Sequence, residues 1–277
     1  MAVHRGHRPA AAVAVSERRP PGWRVAMSLF TTIPAGVNET LDDEVAARAI
    51  LWLPAIGLLL GALGAVVVLG VGAGAVGTSG ARRLLGAALA VALIALLTGG
   101  LHLDGLADTA DGLGSRRPTA GALDIMRRSD IGPMGVAALV LVLLIQVTAL
   151  AAVARPPLAA AALVLAEVTG RVSVVVATSS PAARPGGFGA LVAGRTKAGE
   201  RAVTVGALGC TVAAAGLAAG GPALAERGLA AVLAGLLAGR LLQRTAERRL
   251  GGMTGDVFGA ILQVSAATAM VVAALVS

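Results

Sequence analysis

Residues 49–72, AILWLPAIGLLLGALGAVVVLGVG, contain no charged side chain. A helix crossing a bilayer needs about 20 mostly apolar residues, and this stretch supplies them. Working outward, comparable runs lie near 83–101, 134–154, 158–178, 202–220, 228–243 and 257–276. The pattern predicts an all-α, polytopic integral membrane bundle of about seven transmembrane helices.

Composition points the same way. Of the 277 residues, 56% are hydrophobic and only 14% charged, where a soluble domain carries about a quarter charged residues. The apolar mass is Ala, Val, Leu and Gly, and small residues let helices approach closely in lipid. The single cysteine, Cys210, lies in an apolar run and reads as a buried structural thiol with no internal disulfide partner. The net charge of +8 reads as loop charge on one side of a membrane, so no nucleic-acid partner is expected.

Residues 1–28 carry Arg5, Arg8, Arg18, Arg19 and Arg24, and the stretch 10–15 is too short for a secretory h-region. A poorly ordered basic N-terminal tail is expected there. With the N-terminus in the cytoplasm and the spans alternating, only Arg82, Arg83, Arg155 and Arg227 fall in non-cytoplasmic loops. The positive-inside rule favours that orientation. It places the long connections around 102–133, 179–201 and 244–256 on one cytoplasmic face.

Those connections hold the chemistry. In His102-Leu103-Asp104-Gly105-Leu106-Ala107-Asp108-Thr109-Ala110-Asp111-Gly112 the three aspartates are spaced i, i+4 and i+7. On a helix they share one face, where like charges repel unless something neutralises them. A divalent cation is the economical neutraliser, because hard cations such as Mg²⁺ take carboxylate oxygens together with substrate phosphates. The scarcity of Cys and His argues against zinc. The bland reading is a solvated acidic loop. His102 either orients a carboxylate or phosphate, or marks the interface.

Further on, Arg127 and Arg128 suit phosphate, or serve only as a positive-inside anchor. Asp130 is a metal ligand or an Arg partner, and Gly132-Pro133 is a turn. Gly186-Gly187-Phe188-Gly189, with Gly194-Arg195 after it, is a loop able to cradle a pyrophosphate on its backbone N–H groups. Asp256 closes Gly251-Gly252-Met253-Thr254-Gly255-Asp256, at the point where the chain re-enters lipid. Within the fourth span, Glu167 and Arg171 form an i, i+4 pair that is either self-satisfied or turned to the site.

These stretches, in order over roughly 28–265, resemble the cobalamin synthase (adenosylcobinamide-GDP ribazoletransferase) family. The resemblance is carried by Gly99-Gly100 with the 101–112 segment, Ile125-Met126-Arg127, Gly170-Arg171, the run 251–260 and Phe30-Thr31-Thr32-Ile33-Pro34. Two departures stand out. Arg128-Ser129-Asp130 exchanges the charges of the family's Asp-Ser-Arg, and Gln263 and Ala266 stand where family members often carry glutamates.

The resemblance implies a family-type transmembrane domain over 29–277 and a Mg²⁺-dependent transfer. Adenosylcobinamide-GDP would react with α-ribazole or its 5′-phosphate. A ribazole hydroxyl attacks the phosphorus attached to the cobinamide arm, and GMP leaves. On this reading Asp104, Asp108 and Asp111 hold the metal, and Arg127, Arg171, Arg195, His102 and Gly187 bind substrate. Asp111 or Asp256 acts as general base. The setting would be the bacterial plasma membrane, with association among corrinoid-assembly enzymes.

Two other readings compete. A CDP-alcohol type phosphotransferase would place Ala-Arg after its Asp-Gly, whereas Ala107 is followed by Asp108. A small-solute transporter would favour an internal repeat and a midplane site, and no convincing repeat is present.

Overall fold

The computed structural model describes residues 20–36, 42–72 and 80–277. Its described part is helical, with a single bridge between Ala182 and Met253. Among the described residues, seven helices are long and apolar enough to span a bilayer: α3 (Leu53–Gly72), α4 (Gly80–Leu97), α7 (Pro133–Ala152), α8 (Pro156–Ala177), α10 (Ala198–Gly220), α11 (Pro222–Leu250) and α12 (Gly255–Leu275). Among the shorter helices, α1 (Gly22–Phe30) and α2 (Asp43–Leu51) precede α3, α5 (Leu101–Gly114) and α6 (Thr119–Ile125) join α4 to α7, and α9 (Gly187–Val192) lies between α8 and α10.

The core is built around α8 and α12. Their apolar windows are 72% and 61% buried, against 11% for α10 at the rim. Close approach makes this possible. A Cβ on Gly57 would lie 2.7 Å from the Glu167 carbonyl oxygen, and one on Gly61 would lie 2.8 Å from the Val164 Cα. Glycines therefore let α3 lie directly on α8, with dispersion contacts rather than water exclusion as the gain. The outer surface exposes Leu58, Val66, Leu96, Leu141, Val203 and Leu233. Such a belt suits lipid.

Because the spans alternate, α1, α2, α5, α6, α9 and the α11–α12 turn share one end of the bundle. The turn from α4 into α5 shows how. Gly99 and Gly100 take φ +59° and +73°, and their N–H groups return to Leu96 O and Ala95 O at 3.1 and 2.9 Å. This left-handed ending satisfies the last carbonyls of α4, and α5 begins at once.

Two expectations change. The tail expected over 1–28 overlaps α1, which packs against α2 and buries Val25, Ala26 and Phe30. A nine-residue amphipathic helix is too short to register as a span, and its order comes from that packing. Residues 1–19 lie outside the described residues. Cys210 is exposed rather than buried, because α10 is apolar on its outward face as well as its inward one.

Candidate active site

The acidic segment is helical, as its spacing predicts, and forms α5. Its placement depends on Gly105. A Cβ there would lie 2.7 Å from the Asp256 carbonyl oxygen and 2.9 Å from its Cα. Glycine thus sets the face of α5 that bears Asp104 and Asp108 against the first turn of α12. Asp104 is exposed, and Asp108 and Asp256 are half-buried. The Asp108 carboxyl is pushed up to about 6 by burial, and further by the Asp104, Asp256 and Asp111 charges. The four carboxylates therefore share one field.

Asp111 is committed differently. Its two oxygens accept the backbone N–H groups of Gly132 and Gly135 at 2.7 and 2.8 Å. These are free donors of the first turn of α7, so Asp111 caps that helix from across the structure. Among the described residues no three Asp, Glu, His or Cys side chains converge as a ready metal cage. The expected Asp104–Asp108–Asp111 cage is thus not preformed, because Asp111 is turned into α7. The oxygen-only set of Asp104, Asp108 and Asp256, whose charges repel one another, still fits a hard cation. Mg²⁺ needs only one or two carboxylates when phosphate oxygens and waters complete its shell.

A cavity of about 350 Å³ opens beside this cluster. Asp104, His102, Asp256, Thr254, Arg184, Gly186, Gly187 and Phe188 are among its lining residues. Thr254 caps α12 by accepting from Val257 N at 3.2 Å, and its hydroxyl donates to Asp256 Oδ2 at 3.2 Å. Phe30 and Phe188 meet edge to face at 5.5 Å and wall one side. Gly187 lies where the Gly-rich loop is expected to cradle a ligand.

The cation in this cavity is Arg184, which sequence reasoning missed in favour of Arg195 farther along. Its Nη2 lies 4.0 Å from Asp256 Oδ2. Met253 N donates to Pro181 O at 2.8 Å and Ala183 N to Met253 O at 2.9 Å. This two-residue ladder ties Arg184 to the α12 entry. The signal available was Arg184-Pro185 directly ahead of the glycines.

The other candidates lie apart. Arg195 pairs with Asp43 of α2 and does not line the cavity. Arg127, Arg128 and Asp130 are exposed beyond α6. Arg171 is 1% exposed and donates to Glu167 Oε2 at 2.5 Å and to Glu167 O at 3.0 Å. The pair lines a separate small cavity of about 20 Å³ with Gln146 and Gln263, themselves hydrogen-bonded at 2.8 Å. His102 stands in the wall between the two cavities. Burial, aided by the Arg171 charge, lowers its pKa to about 3. It is neutral at physiological pH.

Fold and cavity together define a multi-pass membrane protein whose site, a carboxylate cluster facing a guanidinium and a glycine loop, suits a phosphate-bearing substrate. The profile of the cobalamin-5-phosphate synthase family matches residues 22–274, and the chain belongs to that family. Its relatives include two proteins named adenosylcobinamide-GDP ribazoletransferase. The one from Bradyrhizobium diazoefficiens is 42% identical over 91% of this chain and 92% of its own length. The one from Frankia casuarinae is 38% identical over 91% and 94%. A third of that name, from Citrobacter koseri, is 37% identical over 84% and 90%. No solved structure matches the chain.

Proposed function

We propose that this protein joins adenosylcobinamide-GDP to α-ribazole or its 5′-phosphate and releases GMP, completing the nucleotide loop of a cobalamin. The observation that carries the reading is the single cavity holding Asp104, Asp256, Arg184 and the Gly186–Gly187 loop.

Phosphoryl transfer depends mainly on positioning and on neutralising charge around phosphorus. Arg184 offers a planar guanidinium to the pyrophosphate, releasing Asp256 as it turns. Asp104 and Asp256 face the reacting centre. An aspartate of this cluster accepts the proton of the attacking hydroxyl, and the raised Asp108 pKa places proton affinity in the field near neutrality. Neutral His102 supplies a dry wall. Mg²⁺, when bound by Asp104, Asp108 or Asp256, would lower the repulsion within the cluster and between it and the phosphates.

The positive-inside distribution of Lys and Arg supports a bacterial plasma-membrane location with this end in the cytoplasm. Association with other enzymes of corrinoid assembly belongs to the same reading.

The test is GMP release by the purified protein in proteoliposomes supplied with adenosylcobinamide-GDP, α-ribazole and Mg²⁺. Stoichiometric GMP and corrinoid product are expected, with both lost in EDTA and recovered on adding Mg²⁺. Solute flux without GMP, or transfer from a CDP-alcohol instead, would overturn the reading.

A further inference from the structure

A second cavity, of about 610 Å³, adjoins the first along α5. It is bounded by Thr31 and Thr32 after α1, by Thr98–Leu101 at the α4–α5 turn, and by Ile131 and Leu139 at α7. Asp104 lines it as well as the Arg184 cavity, and so do Leu29 and Leu101. Both volumes fall in the roughly 300–1,000 Å³ range of small-molecule sites.

The two cavities differ in what they offer a ligand. The first contains Arg184 and a glycine loop. The second has Asp104 as its sole ionisable lining group. Its hydroxyl protons are already committed: Thr31 donates to Met27 O at 2.6 Å, Thr32 to Leu97 O at 3.2 Å and Thr98 to Ile94 O at 2.9 Å. The N–H groups of Thr32, Gly99, Gly100 and Leu101 are likewise bonded to backbone carbonyls. What remains facing the cavity is hydroxyl lone pairs, one carboxylate and apolar Leu29, Ile131 and Leu139. Such a lining accepts hydrogen bonds from sugar hydroxyls, packs against an uncharged ring and repels phosphate.

We infer that the two substrates occupy these adjoining cavities and meet at Asp104, the GDP end in the Arg184 cavity and the acceptor nucleoside in the Thr32–Leu139 cavity. This rests on the transferase reading above. The acceptor places its ribose near Thr31, Thr32 and Asp104 and its base against Leu139. In the step that follows, the acceptor oxygen forms the new bond to the phosphorus attached to the cobinamide arm, and the bond from that phosphorus to the GMP oxygen breaks. The hydroxyl proton passes to a carboxylate of the aspartate cluster, and GMP leaves with the bonding electron pair. A 5′-phosphate on the acceptor stays at the open mouth, away from Asp104.

Steady-state kinetics with each substrate varied in turn test the assignment. Leu139→Trp, which fills the second cavity, is expected to raise KM for α-ribazole by roughly tenfold or more. KM for adenosylcobinamide-GDP and product inhibition by GMP stay within about twofold. Thr32→Val, a near-isosteric change, is expected to raise KM for α-ribazole roughly threefold to tenfold, again without moving GMP inhibition. Arg184→Gln is expected to do the reverse. If Leu139→Trp abolishes GMP binding through misfolding, Thr32→Val decides. An unchanged KM for α-ribazole in Thr32→Val, or a shift in the GDP substrate instead, overturns the inference. Absence of product from the wild-type protein would overturn the transferase reading, a separate result.

Discussion

The molecule holds two polar regions that handle charge in opposite ways. Inside the bundle, Glu167 and Arg171 neutralise one another at 2.5 Å, one turn apart on α8, beside a hydrogen-bonded Gln146–Gln263 pair. At the end of the bundle, Asp104, Asp108 and Asp256 crowd together, with Arg184 4.0 Å from one carboxylate. The inner layer is neutral as built, and removing a part harms the structure. The outer cluster is held in repulsion by the glycine contact of α5 with α12, and removing a part harms the chemistry. Unpaired charge maintained by rigid packing is the mark of a site awaiting a charged ligand.

The largest effect expected from this contrast is on turnover. Asp104→Asn keeps the shape of α5 and removes the carboxylate shared by both cavities. Activity should fall about 10²–10⁴-fold, with elution from a sizing column and GMP binding retained. Turnover near the wild-type rate would break the comparison at its strongest point.

The inner layer should respond in stability. Glu167→Ala leaves Arg171 buried without its partner, and losing one member of a buried pair costs about 3–5 kcal/mol. Replacing both, as Glu167→Leu with Arg171→Met, should recover most of that loss in a thermal unfolding assay. If the double variant folds well yet loses turnover as completely as Asp104→Asn, the inner layer takes part in the chemistry and the division fails.

Asp111 belongs to both regions, and the sequence could not have shown it. Spacing makes 104, 108 and 111 equivalent on one helical face, and in that sense α5 and the seven spans are legible from periodicity and hydropathy alone. The long-range partner is not legible. The N–H groups of Gly132 and Gly135 reach Asp111 only because α7 folds back beside α5. Arg184 is hidden for the same reason, since its place depends on the 181–183 segment pairing with Met253. The ends of α11 are obscured by Arg227 on one side and by Arg244, Glu247, Arg248 and Arg249 on the other, which flank the apolar run. The outward face of Cys210 was obscured because apolar side chains suit lipid and core equally. Asp111→Ala should therefore cost about 1–2 kcal/mol of stability as a lost cap, and Asp111→Asn, which keeps one acceptor oxygen, should cost less. A cost for Asp111→Asn equal to that for Asp111→Ala would argue against the cap.

The smallest effect reads the cost of holding Asp108 charged, which comes from burial first and from the neighbouring aspartates second. The Asp108 carboxyl is raised from 3.8 to about 6. A raised acid holds its proton more tightly when folded, so its contribution to stability is fully present below about 4 and lost as pH rises through about 6. Above that window the folded protein carries an unfavourable charge. Asp108→Asn removes it, and in EDTA at pH 7.5 the variant should melt about 2–4 °C above the wild type, solvent screening having been allowed for. The difference should vanish near pH 4. Adding Mg²⁺ at pH 7.5 should raise the wild-type melting temperature more than the variant's, because a cation relieves the repulsion that the variant lacks. A wild type at least as stable as Asp108→Asn in EDTA at pH 7.5 would mean that the cluster stores no repulsion, and the contrast with the self-neutralised inner layer would lose its physical basis.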